Sequence, residues 1–207
     1  MHARSTTVNA ELERIDAGIA HVRDEVMPAL LGMEGCIGLS MMVDRGTGRC
    51  IVTTSWESED AMRATSEMVR PLRDRAIELL GASDAAVDEW EIAYLHRDHA
   101  SRPGACVRAT WMQVSQDDME RAMDIYEMAR MPAMEELQGF CSASLFVDRS
   151  TGRAVSSVAY DSPEAMENTR ERAAELRATG AQEARADILD VAEFELALAH
   201  LRVPEMA

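Results

Sequence analysis

The chain has 207 residues, 47% of them hydrophobic, which is enough for a packed core and too apolar for global disorder. Its formal net charge of −16 opposes both nucleic acid and anionic membrane surfaces as partners. All 21 basic residues are arginine, so no lysine is present to form a Schiff base, a pyridoxal-phosphate aldimine or a P-loop phosphate contact.

Cys36, Cys50, Cys106 and Cys141 form no CxxC pair, and none is repeated in register with another. They read as reduced, buried thiols of a cytoplasmic protein. Five scattered histidines show no HxH or HExxH arrangement, so the spacing points to no metal site and no cofactor. No stretch reads as a signal peptide or a membrane span.

The dominant feature is a duplication. Val43-Asp44-Arg45-Gly46-Thr47-Gly48-Arg49 returns 104 positions later as Val147-Asp148-Arg149-Ser150-Thr151-Gly152-Arg153. The same spacing relates Pro28 to Pro132, Gly35 to Gly139, Ser58 to Ser162, Glu89 to Glu193, Glu91 to Glu195 and His96 to His200. A constant spacing over a domain length marks a repeated unit. The division expected is a first repeat over 1–97, a linker over 98–104 and a second repeat over 105–207.

In chain order, each repeat opens on a β-prone stretch, Arg4 to Val8 or Ala105 to Val114. A helical stripe follows, Leu12, Ile15, Ile19, Val22 and Val26 in one repeat and Met119, Met123 and Tyr126 in the other, stopping near Pro28 or Pro132. A strand (Cys36 to Val43; Phe140 to Val147) leads into the repeated Asp-Arg-x-Thr-Gly-Arg turn, where Asp supplies a local side-chain bond and Gly a positive φ. The return strand ends at Trp56 or Tyr160, Ser58 or Ser162 caps a second helix, and a last strand runs Val87 to His96 or Val191 to His200.

The order βαββαβ, twice, is the ferredoxin-like arrangement, with both helices on one sheet face. The fold class expected is α+β, two such repeats packed as a pseudo-dimeric α/β barrel. In the second strand Ile37, Leu39, Met41 and Val43 face the helices. Gly38 and Ser40 then leave volume on the opposite face, between the two sheets, where a pocket is expected. Arg4 and Arg108, on first strands, are placed to neutralise the Glu residues of the neighbouring last strands.

Several side chains are candidates for function. His96 and His200 end the last strands and are candidate general bases for a phenol, the unperturbed imidazole titrating at ~6.5. Trp56, Tyr160, Trp111 and Phe140 offer aromatic faces, Ser144 a hydroxyl, and Arg108 and Glu195 opposite charges for a bound ligand. Because the halves differ at Trp56/Tyr160, Thr7/Trp111 and Cys36/Phe140, a single site is expected in the half holding Trp111, Tyr160 and Phe140.

The segment Ser55-Trp56-Glu57-Ser58-Glu59-Asp60-Ala61-Met62, its echo Ala159-Tyr160-Asp161-Ser162-Pro163-Glu164-Ala165-Met166, and the closing strand Glu89-Trp90-Glu91-Ile92-Ala93 resemble the antibiotic biosynthesis monooxygenase-like family of the dimeric α/β-barrel superfamily. The resemblance implies a tandem form of a barrel that other members assemble from two chains, with further homodimerisation open. It implies a cofactor-independent monooxygenase acting on a small aromatic or polyphenolic substrate. The alternative is a non-catalytic barrel that binds a small molecule or serves in stress. Haem-degrading relatives use an Asn on the first strand, a Trp ending the third and a His on the second helix. Trp56 matches, but Thr65-Ser66-Glu67 and Thr169-Arg170-Glu171 hold no histidine, so haem degradation is not expected.

Overall fold

A computed structural model describes residues 1–201. Its elements follow the expected order. The first repeat holds β1 (His2–Asn9), α1 (Ile15–His21), α2 (Met27–Leu31), β2 (Cys36–Val43), β3 (Arg49–Trp56), α3 (Glu59–Ala64), α4 (Ser66–Leu79) and β4 (Ala86–Arg97). The second holds β5 (Cys106–Gln113), α5 (Met119–Ile125), α6 (Met131–Glu135), β6 (Phe140–Asp148), β7 (Arg153–Tyr160), α7 (Pro163–Asn168), α8 (Arg170–Ala184) and β8 (Asp187–Leu201). The strands hydrogen-bond in the order β1-β3-β2-β8-β5-β7-β6-β4, a closed barrel of two ferredoxin-like repeats.

Two compact units divide the chain inside its last strands: Met1–Glu91 with the residues from Glu195 onward, and Ile92–Phe194. In the first unit β3 lies between β1 and β2, the start of β4 pairs with β1, and the end of β8 pairs with β2 from Gly38↔Leu201 to Val43↔Glu195, all antiparallel. In the second unit β7 lies between β5 and β6 in the same antiparallel way.

The turn and cap chemistry is as the residues dictate. Asp44 accepts from the Gly46 and Thr47 amides at 2.8 and 3.3 Å and from the Thr47 hydroxyl at 2.5 Å, while Gly48 sits at φ +81°. Asp148 repeats this with Ser150 and Thr151, beside Gly152 at φ +75°. Ser58 and Ser162 each accept from the amide three residues on, at 3.1 Å.

The first helix of each repeat departs from expectation. It passes through the Met-Pro pair by widening into a π-helical turn, Val22–Val26 or Tyr126–Arg130. Pro28 and Pro132 have no N–H to donate, and a wider turn keeps the chain helical around the missing bond. Leu12, read as part of the apolar stripe, lies in a short 3-10 turn and is exposed.

Each unit buries its own core between sheet and helices. Leu39, Met41 and Val43 pack with Val22, Leu30 and Leu80 in the first, and Ala143, Leu145 and Val147 with Met131, Met134 and Leu176 in the second. From Leu39 and Ala143 onward the strand faces are therefore as the alternation predicts, but a register shift at Cys36/Gly38 and at Phe140/Ser142 puts Cys36 and Phe140, rather than Ile37 and Cys141, in these cores. The volume beside Gly38 is not a pocket: a Cβ there would stand 2.3 Å from the His200 carbonyl oxygen and 2.7 Å from Leu201, so the missing side chain admits the backbone of β8.

Candidate functional site

The second unit holds a cavity of about 110 Å³ on the helix side of its sheet. Arg108, Thr110, Met112 and Val114 reach it from β5 and the residue after, Ser156, Val158 and Tyr160 from β7, and Tyr126 and Arg130 from the two ends of the π turn. Ala173, Arg177, Gly180, Ala181 and Ala184 close it from α8. The first unit has the same geometry around a cavity of about 40 Å³.

The difference follows from three aligned positions. Val69, Ile77 and Leu80 line the smaller cavity where Ala173, Ala181 and Ala184 line the larger. Leu80 lies against Gly18, where an added Cβ would stand 2.2 Å from Leu80 Cδ2, so the space in the first unit is already taken. Trp56, wholly buried there and donating to Thr54 Oγ1 at 3.1 Å, is replaced by Tyr160 in the second.

One end of the larger cavity is polar. Arg108, 5% exposed, donates through Nε to Glu193 at 2.9 Å and through Nη2 to the Met166 carbonyl at 2.9 Å. Its Nη1 lies 3.5 Å from the Tyr160 hydroxyl, and its guanidinium carbon 5.6 Å from the centre of that ring. Arg177 lines the same space, and burial, with Arg108 nearby, pulls its pKa below the ordinary value. Arg130 Nε is buried with no hydrogen-bond partner among the described residues. Tyr126 donates to the Ser144 carbonyl at 3.1 Å and accepts from Ser156 at 3.2 Å. Burial raises the pKa of both Tyr126 and Tyr160, so they remain phenols.

Of the residues singled out from sequence, Arg108 and Tyr160 line this cavity and the others stand elsewhere. His96 lies 2.8 Å from Glu135 and stacks on Phe140, ring centres 6.2 Å apart. His200 sits opposite Leu39 in the first unit, its Nε2 buried with no hydrogen-bond partner among the described residues. Trp111 meets Phe194 edge to face, and its place on β5 alternates with Arg108, Thr110 and Met112, putting it on the other sheet face. Ser144 contributes its carbonyl to Tyr126, and Glu195 pairs with Arg45 at 2.6 Å in the first unit. Tyr126, Ser156, Arg130 and Arg177 were not foreseen. Comparing the repeats position by position would have raised three of them, because their partners are Val22, Val52 and Val26.

Two ferredoxin-like repeats closed into one eight-stranded barrel, with a helix-covered cavity in one of them, define a dimeric α/β-barrel protein in tandem form. The family model for antibiotic biosynthesis monooxygenase matches residues 2–67. An uncharacterized protein of Mycobacterium tuberculosis is 57% identical over 206 residues, covering 100% of this chain and 92% of that protein, and a second is 55% identical over 207 residues, covering 100% and 87%. The chain belongs to the antibiotic biosynthesis monooxygenase family. In fold it is similar to a Lactobacillus acidophilus protein provisionally named a monooxygenase (TM-score 0.72, 9% identity, 97% of this chain and 96% of that one). It is also similar to an anthrone oxidase-like protein (TM-score 0.67, 12% identity, 100% and 95%). No helix among the described residues is long and apolar enough to cross a membrane.

Proposed function

We propose that the second repeat is the working half and that its cavity binds a small aromatic or polyphenolic molecule, which the protein oxygenates without a cofactor. The observation that carries this reading is the contrast between the two cavities: one is filled by Leu80 and Ile77, the other is opened by Ala184 and Ala181 and ends in Arg108, Arg177 and Tyr160. Methionine and aliphatic walls suit a flat apolar ring, and methionine adapts to irregular shapes.

The chemistry follows from the charges. A phenol or enol hydroxyl directed at Arg108 and Arg177 is held more strongly as its anion, because the cations stand in a water-poor site. The substrate proton passes to water, the resulting anion gives one electron to dioxygen, the two radicals combine into a peroxide that regains a proton, and loss of water together with the hydrogen on that carbon leaves a carbonyl. One oxygen atom stays in the product, the other leaves as water, and every electron comes from the substrate. Tyr160, whose hydroxyl accepts from Arg108, keeps its own proton to donate to the ring's oxygen, while Tyr126, bonded to the Ser144 carbonyl and Ser156, shapes the wall.

Among the described residues the cavity lining contains no histidine, aspartate or glutamate, and that feature favours a second reading, binding without turnover. Oxygen uptake with a panel of hydroquinones and anthrones separates the two. Turnover by the wild type, lost at least tenfold in Ala184→Leu, supports the oxygenase. Tight binding without uptake selects the second reading, and neither binding nor uptake removes both.

A further inference from the structure

The fold brings together three side chains that lie far apart in sequence and outside the cavity lining. His99 follows β4, Cys141 is the second residue of β6 and Asp161 follows β7. His99 Nε2 lies 2.9 Å from Asp161 Oδ1, Cys141 Sγ lies 3.4 Å from the same oxygen, and all three ligand atoms fall within 4.8 Å of one another. A tetrahedral zinc ion with bonds of about 2.0 Å to nitrogen and oxygen and about 2.3 Å to sulfur needs N···O near ~3.3 Å and S···O near ~3.5 Å. The cluster is within a few tenths of an ångström of both.

We propose that His99 Nε2, Cys141 Sγ and Asp161 Oδ1 bind one divalent transition-metal ion, with zinc the best match and water as the fourth ligand. The donor set is the first argument. Thiolate, imidazole and carboxylate together select zinc-like ions over magnesium or calcium, which take oxygen ligands. The second is support around the donors. His99 Nδ1 bonds to Asp98 Oδ2 at 2.7 Å, the carboxylate–histidine arrangement that fixes the tautomer and aims the other nitrogen at a metal. The Asp98 and His99 amides donate to the Cys141 carbonyl at 2.9 and 3.4 Å, pinning this segment to β6.

The third argument is access. Binding takes the thiolate and an imidazole nitrogen free of its proton, and the displaced protons leave to solvent. The His99 and Asp161 side chains are 34% and 41% exposed while Cys141 is buried, so one side of the cluster is open to water and the thiol side is closed. None of the three is kept by the duplication: Cys141 aligns with Ile37 and Asp161 with Glu57, so the site would belong to the second repeat alone.

The test uses the full-length protein, stripped with a chelator and titrated with Co²⁺ as a spectroscopic probe, then with Zn²⁺ against a chromophoric chelator. One equivalent per chain is expected, with intense visible absorption of tetrahedral Co²⁺ and a near-ultraviolet thiolate-to-cobalt band. Cys141→Ser should abolish that band, Asp98→Asn should weaken binding about 10- to 100-fold, and Zn²⁺ should raise the thermal midpoint of the wild type but not of His99→Ala. His99 lies in a partly exposed connection, so His99→Ala serves if Cys141→Ser fails to fold. Weak octahedral Co²⁺ spectra, or binding by His99→Ala equal to wild type, would overturn the proposal and leave only scattered carboxylates binding cations.

Discussion

Arg108 and Glu193 stand 85 residues apart in the chain and 2.9 Å apart in space, and Arg4 and Glu89 repeat the relation at the same sequence separation and 2.7 Å. Each arginine is almost fully buried, each glutamate is partly exposed, and each guanidinium also donates to a helix carbonyl, Met166 or Met62. First strand, last strand and second helix are thus tied at one point in both repeats. Arg108→Met removes the donor to the Met166 carbonyl and leaves Glu193 with Arg170 alone, 3.0 Å away; a loss of about 1–3 kcal/mol is expected by chemical denaturation. Glu193→Gln should cost less, because Glu193 still reaches solvent and Arg108 keeps the Met166 carbonyl.

Cavity volume should be transferable between the repeats. Leu80→Ala is expected to cost about 2–5 kcal/mol and to open the first unit, since Leu80 is 2% exposed and packs on Gly18. Ala184→Leu is expected to fill the second unit at a cost below about 3 kcal/mol. A thermal melt reads both, and ligand affinity should fall only in the second variant.

Gly139 sits at φ +75°, and a Cβ there would stand 2.6 Å from the Ala165 Cβ. Gly139→Ala meets two penalties, the left-handed backbone at about 1–2 kcal/mol and the clash. Adding Ala165→Gly relieves the clash but not the backbone, so the double variant should recover part of the lost stability in a denaturant titration. Full recovery would show that the backbone conformation is free to change.

The Asp44 turn carries a pH signature. Hydrogen bonding from the Thr47 hydroxyl, helped by the Gly46 and Thr47 amides, holds the Asp44 carboxyl below its ordinary range despite partial burial. A carboxyl lowered by folding contributes stability above its unfolded pKa of ~3.9, and that contribution is lost as pH falls through the folded value. Asp44→Asn should therefore melt below wild type at pH 7, and the two curves should converge as pH drops below the ordinary carboxylate range. A constant gap down to pH 2 would reject the assignment.

Elements governed by local chemistry were readable in the sequence. The Asp44 and Asp148 turns, the Ser58 and Ser162 caps and the alternation of Leu39, Met41 and Val43 depend on neighbours in the chain, and periodicity reports those. The arginine–glutamate pairs were also readable, because topology makes the first and last strands neighbours. The cavity was misplaced, since an absent side chain at Gly38 signals space without saying whether backbone or ligand fills it. His96, His200, Trp56 and Glu195 were raised by residue type and place on a strand, and neither can tell a strand-end imidazole packed on Phe140 from one facing a ligand. The His99–Cys141–Asp161 cluster was invisible, because its members meet only after three separate segments converge.

The exchange of Leu80 for Ala184 carries one more consequence. A barrel built from two identical chains makes every substitution twice, so filling one pocket fills both. Covalent duplication removes that constraint: one half is free to close and become scaffold while its twin keeps an opening. A mutation that would abolish function in a symmetric ancestor could thus be accepted here as a gain in packing. The differences between positions 104 residues apart, Leu80 against Ala184 among them, are ones that a homodimer has no means to encode.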